Sequence, residues 1–296
     1  MPEKVTGLMR ALFENLTTDQ ANTCGLVLSS SGISYRVKKG KKGWEIWVDE
    51  KDYDSALDCM KQFFKENRDD FSKEGLGEKE FQKTYTGIWA ALLLLIWYLV
   101  FLSADGDVRF VLKYGASATK IMRGEWFRLV TALMIHADGV HLIGNMVGIV
   151  LFGTAVCGFA GWGVGWLMIL LTGILGNFFN ALLLRAGHVS IGASTAVFGA
   201  IGILSGYRFL KLLGGAGKQI RAWLPVAGGL ALLGFLGSGS HSDITAHLFG
   251  FVSGLTMGAI YALKVKLRQP RSVQRYALSA LLVVITIAWL EAFSQG

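Results

Sequence analysis

Two polar residues in the hydrophobic part of the chain have the types and positions of a hydrolytic pair. Ser194 lies in the sequence Gly192-Ala193-Ser194-Thr195, which opens a hydrophobic stretch, and His247 lies near the start of another. A histidine hydrogen-bonded to a serine can take its proton during attack on a carbonyl and return it to the leaving amine. The pair therefore predicts acyl-transfer chemistry if the fold brings the two side chains together.

A third hydrophobic stretch begins with polar residues that could stabilise an oxyanion. His141 and Asn145 are four residues apart, so a helix would place them on one face. Together with the backbone amide of Ser194, they are candidate hydrogen-bond donors to a tetrahedral intermediate. Gly192 gives the turn before the serine the conformational freedom that it needs. Phe198 is either a core residue or a stacking support for the imidazole of His247.

Each of these residues also has a purely structural explanation. Serine is a favoured helix N-cap, His141 and Asn145 could simply bond across helices, and His136 could support a loop or line a water-filled cavity. His247 is a functional candidate by default, because ionisable residues inside spans are rare. A metal site is the main chemical competitor, but the chain has no HExxH motif or clustered carboxylates beside its histidines. We therefore predict a site that uses neither a metal nor a cofactor.

Two further polar residues lie outside the predicted spans. Asp243 precedes His247 by one helical turn and could orient it, although a role in an interfacial loop is the favoured interpretation. His188 is predicted to be a loop residue. Neither is included among the candidate site residues.

The composition predicts a membrane protein. Of the 296 residues, 52% are hydrophobic and only 17% are charged, which is too apolar for a soluble domain of this size. The net charge is +8, but the basic residues that follow the N-terminal region lie mostly in short loops, so they indicate membrane topology and not a nucleic-acid surface. The lipid bilayer is therefore the expected partner, with no nucleic acid.

Hydrophobic runs of suitable length predict an all-α polytopic membrane protein with seven spans. The spans are predicted at about 86–104, 140–157, 164–184, 194–213, 223–237, 244–263 and 276–290. We expect three parts: residues 1–83 as an N-terminal domain with its linker, 84–265 as the catalytic core of six spans, and 266–296 as an additional C-terminal span.

Residues 1–83 are polar and predict a small α/β domain. Helices are predicted over 6–16 and 52–67, and strands over 25–28, 33–37 and 44–48. A charged linker over 69–83 joins this domain to the first span.

Lysines and arginines in the short loops predict the orientation of the chain. The loops that follow the fourth and sixth spans are basic, whereas the loop over 238–243 has no lysine or arginine. The N-terminus is therefore expected in the cytoplasm and the C-terminus outside the cell membrane, with the candidate site opening to the outer face. The loop over 105–139 disagrees, because it is placed outside and carries five basic residues. Its apolar patches predict a folded structure in the outer interface.

Small residues indicate where two of the spans pack together. Glycines follow the serine and the histidine at helical spacing, which predicts close approach of the two backbones. The two faces are Ser194, Phe198, Gly202 and Gly206 on the fourth span, and His247, Gly250, Gly254 and Gly258 on the sixth.

With these motifs in place, the sequence resembles the rhomboid intramembrane serine proteases over about 89–263. The resemblance is carried by Trp126-Phe127-Arg128, by His136, by His141-x-x-x-Asn145, by Gly192-x-Ser194 and by Ala246-His247-x-x-Gly250. A seventh, C-terminal span is similar to the six-plus-one arrangement of part of the family. Two positions depart from the common pattern: Thr195, where glycine is usual, and Phe127-Arg128, displaced behind Trp126.

The resemblance implies a function and a role for each residue. It implies a Ser194–His247 dyad without a required acidic third member, an oxyanion hole that includes His141 and Asn145, and an acyl-enzyme on Ser194. The expected activity is cleavage of transmembrane segments of membrane-protein substrates, near small and helix-breaking residues, without a cofactor. The alternative is a catalytically inactive rhomboid-like protein that binds membrane clients.

Overall fold

The computed structural model describes residues 9–40, 43–66, 83–103, 108–184, 188–213, 219–236, 243–265 and 269–295. The chain divides into two compact units, Met1–Glu78 and Lys79–Gly296. The domain boundaries expected from the sequence stay predictions, and nearly all of the expected linker over 69–83 lies outside the described residues.

The N-terminal unit is a three-stranded antiparallel sheet packed with two helices. Its elements are β1 (Met9–Leu16), α1 (Thr18–Ser30), β2 (Tyr35–Lys39), β3 (Trp44–Asp49) and α2 (Tyr53–Glu66). The strand order is β1-β3-β2. Buried apolar side chains from both helices and from the sheet form its core, among them Leu28, Ile46, Val48 and Met60. The α/β class expected for this region is confirmed.

Two elements of this unit were assigned wrongly from the sequence. The described part of the segment predicted as a helix over 6–16 is strand β1, which pairs with β3. The segment predicted as a strand over 25–28 belongs to helix α1. Thr17 and Gln20 form a capping box at the start of that helix, since each side chain bonds the backbone amide of the other residue. This cap explains why the helix begins at Thr18 and continues through 25–28.

The second unit is helical. In chain order its helices are α3 (Thr86–Ser103), α4 (Val108–Tyr114), α5 (Ala118–Ile121), α6 (Arg128–Thr131), α7 (Gly139–Gly148), α8 (Thr154–Ala160), α9 (Trp162–Leu184), α10 (Ser194–Leu213), α11 (Gln219–Leu236), α12 (Ile244–Lys264) and α13 (Arg271–Ser294). Two short strands, β4 (Ala116–Ser117) and β5 (Val189–Ser190), pair antiparallel.

Within the described ranges, six helices are long and apolar enough to cross a membrane. They are α3, the combined helix Gly139–Ala160, α9, α10, α12 and α13. The chain is therefore a multi-pass membrane protein with a helical bundle, as expected. The predicted fifth span corresponds to α11, a shorter apolar helix that contains Pro225.

Helix α10 lies at the centre of this bundle. It packs against α9, α11 and α12. Of the most apolar 18 residues of α10, 61% are buried inside the protein, compared with 22% for the corresponding residues of α3 and of α13. The element that begins at Ser194 is thus enclosed by protein over most of its length.

Residues 108–138, which precede α7, are folded, as expected for the loop over 105–139. Arg128 is buried within it, and its guanidinium donates hydrogen bonds to the Glu125 carboxylate (2.7 Å) and to the carbonyl oxygens of Gly115 (2.9 Å) and Leu112 (3.2 Å). The charged group of Arg128 is therefore satisfied by protein partners. Arg128 should not be counted among the basic residues that determine membrane orientation.

The last helix, α13, is attached to the turn between α8 and α9. The buried Gln274 side chain accepts hydrogen bonds from the amides of Gly163 (2.8 Å) and Val164 (3.0 Å), and donates one to the carbonyl oxygen of Ala160 (3.0 Å). The first amides of a helix have no intrahelical acceptor, so this side chain satisfies two such groups of α9. At the other end of α13, the Trp289 indole packs on Trp97.

We predict that Gln274→Leu destabilises the protein by about 2–4 kcal/mol, because it leaves buried amides and a carbonyl unpaired. The expected result is a lower midpoint of thermal unfolding in detergent. Gln295→Leu is the matched control, because the same substitution there falls on an exposed side chain at the end of the helix. Equal midpoints for the two variants would contradict the role assigned to Gln274.

Candidate active site

A strained turn leads into Ser194. Gly192 has φ +112°, a conformation that residues with a Cβ rarely adopt. Its amide donates to the carbonyl oxygen of Ala132 (2.9 Å), and the amide of Ala193 donates to Nε2 of His136 (3.4 Å). Helix α10 then begins at Ser194. The turn is therefore held by the folded segment that precedes α7.

Ser194 and His247 are in direct contact. Nε2 of His247 lies 2.7 Å from Oγ of Ser194. The imidazole is only 5% exposed, and the Phe198 ring lies beside it with the ring centroids 4.7 Å apart. The first turns of α10 and α12 therefore bring a hydroxyl and an imidazole together in an enclosed place.

His141 and Asn145 lie beside the same turn. A Cβ added to Gly192 would be 2.5 Å from Nε2 of His141 and 3.5 Å from Nδ2 of Asn145. Asp138 caps this helix by accepting a hydrogen bond from the His141 amide (2.8 Å). The structure thus brings both side chains to the turn before Ser194, on the side occupied by α7.

Thr195 and Gly250 meet where α10 crosses α12. A Cβ on Gly250 would overlap the carbonyl oxygen of Thr195, so only glycine allows this approach. The buried Thr195 side chain directs its methyl group toward Gly176 of α9 as well as Gly250. Glycines on the two neighbouring helices therefore make room for the residue that departs from the common pattern.

His136 is fully buried beneath the turn. Its ring lies edge-on to that of His141, with the centroids 5.3 Å apart. Burial, and to a smaller extent the neighbouring His141, lower the pKa of His136 to about 4. The imidazole is therefore neutral near pH 7, which leaves Nε2 able to accept from Ala193.

Asp243 and His188 have more contacts than their assignment to loops suggested. Asp243 is the N-cap of α12, where its side chain accepts from the Ala246 amide (3.0 Å). His188 Nε2 lies 2.5 Å from the same carboxylate. Burial opposes ionisation of Asp243, but the hydrogen bonds from Ala246, His188 and Thr245 outweigh it and lower the pKa of this carboxyl. The spacing of an aspartate just before an apolar helix is the sequence signal that identifies such a cap.

The arrangement has the parts of a nucleophilic site. An imidazole contacts a hydroxyl, and polar side chains lie beside the start of the helix that carries this hydroxyl. Among the residues that the structure describes, no group of three or more His, Cys, Asp or Glu side chains could hold a metal ion. The geometry therefore fits acyl transfer by serine and histidine.

Comparison with known proteins identifies the same region. The family model described as the Rhomboid domain matches residues 123–264, which include every candidate residue named above. The chain is 31% identical to the putative rhomboid protease YdcA of Bacillus subtilis over 154 residues, which are 50% of this chain and 73% of YdcA.

Two further relatives are matched over a smaller share of their length. The rhomboid protease GluP of Bacillus subtilis is 28% identical over 188 residues, which are 61% of this chain and 35% of GluP. The rhomboid-like protease 2 of Toxoplasma gondii is 29% identical over 147 residues, 49% of this chain and 51% of that protein. The chain thus spans about a third of one of these relatives and about half of the other.

We predict that Gly192→Ala lowers the rate at which a fluorophosphonate labels Ser194 by about tenfold or more, since shifts near 1 Å disrupt catalytic geometry. The new Cβ would both strain the turn and meet the His141 ring. The control is Gly124→Ala, where φ is +104° but a Cβ would meet nothing within 4 Å. Equal labelling of the two variants would show that the contact with His141 is unimportant.

The depressed pKa of His136 predicts a dependence of stability on pH. A neutral buried imidazole stabilises the fold fully above its ordinary pKa of 6.5, and this contribution is lost as the pH falls toward about 4. We expect the midpoint of thermal unfolding to fall less in His136→Gln than in the unsubstituted protein over this interval. Glutamine offers an acceptor to Ala193 but does not titrate, so identical pH profiles would contradict the assignment.

Proposed function

The chain belongs to the rhomboid family, and we propose that it is an intramembrane serine endopeptidase that cleaves transmembrane segments of membrane-protein substrates. The observation that carries the proposal is the 2.7 Å contact between Nε2 of His247 and Oγ of Ser194 at the starts of two packed helices. The names of the relatives as rhomboid proteases support it. Residues 84–265 would form the catalytic core.

In the proposed reaction, Oγ of Ser194 attacks the scissile carbonyl carbon while Nε2 of His247 removes the hydroxyl proton. The imidazolium then gives this proton to the leaving amine, which departs as the new N-terminus and leaves an ester on Ser194. Water, deprotonated by the same imidazole, attacks the ester and releases the new carboxyl terminus. The enzyme is restored, and neither a metal nor a cofactor takes part.

The negative charge of the tetrahedral intermediate requires donors in place before the reaction. The backbone amide of Ser194 belongs to the first turn of α10, where amides have no intrahelical acceptor and the helix dipole favours an anion. His141 and Asn145 are the proposed side-chain donors, since both lie beside Gly192. This group forms the proposed oxyanion hole.

The remaining candidate residues support this site. Gly192 permits the turn, His136 accepts from the Ala193 amide, Phe198 packs on the imidazole of His247, and Gly250 allows α12 to approach the backbone at Thr195.

The position of the site supports the proposed substrate class, and the basic loops support the proposed orientation. Ser194 begins an apolar helix of 20 residues that is mostly enclosed by protein, so a peptide bond must reach it from within or beside the bilayer. We propose that the site opens to the outer face of the cell membrane, with the N-terminus in the cytoplasm and the C-terminus outside. The distribution of basic loops supports this orientation.

We expect Ser194→Ala and His247→Ala to reduce cleavage of single-span substrates by about 10³-fold or more, because each removes a member of the reacting pair. Fluorophosphonate labelling should be lost in Ser194→Ala. Ser205→Ala is the matched control, because Ser205 is a buried serine of the same helix that bonds the carbonyl oxygen of Pro225. Labelling that persists without Ser194, or cleavage that survives both substitutions, would favour the inactive client-binding alternative.

A further inference from the structure

One carboxylate joins three segments at the start of α12. Oδ1 of Asp243 accepts from the Ala246 amide (3.0 Å) and from the Thr245 hydroxyl (2.8 Å). Oδ2 faces Nδ2 of Asn180 at 2.6 Å and Nε2 of His188 at 2.5 Å. Oδ1 therefore caps α12, while Oδ2 binds side chains of α9 and of the segment that leads into β5.

This carboxylate lies close in sequence to both members of the proposed dyad. Asp243 precedes His247 by four residues, and His188 precedes Ser194 by six. The main chain at His188 is itself fixed, because its carbonyl oxygen accepts from the Ala118 amide (3.1 Å) and β5 follows, paired with β4. The contact between Asp243 and His188 thus connects the approach to Ser194 with the start of the helix that carries His247.

We propose that His188 and Asp243 are positioning residues, whose contact keeps Ser194 and His247 in register. This inference depends on the proposed function, since it concerns the geometry of the same site. The contacts between α10 and α12 do not by themselves fix the segment that leads into Ser194. A second connection on the lead-in segment limits sliding of α10 and its turn against α12, and errors near 1 Å at a reacting pair reduce rates by about 10²-fold.

The positioning role can be separated from the capping role, because different oxygens serve them. His188→Ala removes the connection and leaves the N-cap of α12 untouched. His188→Gln restores a donor, since the amide nitrogen of glutamine can occupy the place of Nε2. Asp243→Ser keeps a side-chain oxygen for the cap, because serine caps about as well as aspartate, but it cannot reach Asn180 and His188 as the carboxylate does.

The test compares these variants with the unsubstituted full-length protein. We expect His188→Ala and Asp243→Ser each to lower both the rate of fluorophosphonate labelling at Ser194 and kcat by about 5- to 50-fold, with KM within about twofold. His188→Gln should retain most of both rates. The double variant should be no slower than Asp243→Ser, because the contact that His188→Ala removes is already lost in Asp243→Ser.

A second measurement does not depend on activity. Hydrogen exchange measured by mass spectrometry should be faster in His188→Ala than in His188→Gln for peptides that cover residues 189–194. Unchanged labelling and exchange in His188→Ala, or a His188→Gln variant as slow as His188→Ala, would overturn the proposal. An unsubstituted protein that is not labelled at Ser194 would instead contradict the proposed function, and the exchange data would still decide whether the connection orders the turn.

Discussion

The close backbone contact between α10 and α12 is the constraint on which the candidate site depends. A Cβ at Gly202 would overlap the carbonyl oxygen of Phe251, and one at Gly254 would overlap that of Gly199. The same is true of Gly206 and Gly258 further along the helices. Helices in lipid gain little from hydrophobic burial, so such packing of small residues is a main source of association. A side chain at any of these four glycines would force the helices apart and increase the distance between Ser194 and His247.

The folded segment before α7 adds the second constraint, because a helix contact alone does not fix a turn. The carbonyl oxygen of Ala132 and Nε2 of His136 bind the two amides that precede Ser194. This segment is itself held by the buried guanidinium of Arg128. Two features of this segment, the buried charge of Arg128 and the buried ring of His136, thus contribute to holding one strained turn.

Sequence patterns predicted the long helices well because each span carries its own signal. The span predicted at 194–213 has the bounds of α10, and the glycine faces correctly indicated its contact with α12. The N-terminal unit was harder, because short strands are stabilised by their partners and not by local preference. Strand β1 is stabilised by its pairing with β3, and α1 and β2 separate the two strands in the sequence. No local pattern predicts that pairing.

The same distinction applies to the candidate site. Spacing alone places His141 and Asn145 on one helix face, and glycine before Ser194 indicates a turn. The contacts of His136 with Ala193 and of His188 with Asp243 join residues that are 57 and 55 positions apart, so they exist only once the loops have folded. The partner of His136 is a main-chain amide, which no motif of side chains identifies. Spacing can identify Asp243 as a helix cap, but it does not identify His188 as its partner.

The last helix, α13, shows how buried hydrogen bonds can fix the position of a helix where apolar packing alone would allow several positions. Helix α13 could contact an apolar bundle in many ways, but Gln274 must find partners when it is buried, since an unpaired amide in an apolar setting is costly. It finds them at the start of α9, where glycines at 161 and 163 leave space that any Cβ would fill. One side chain and two glycines therefore select a single position for the helix. Trp289, near its other end, then reaches Sδ of Met134, two residues before His136. Helix α13 thus packs directly on the segment that supports the turn before Ser194.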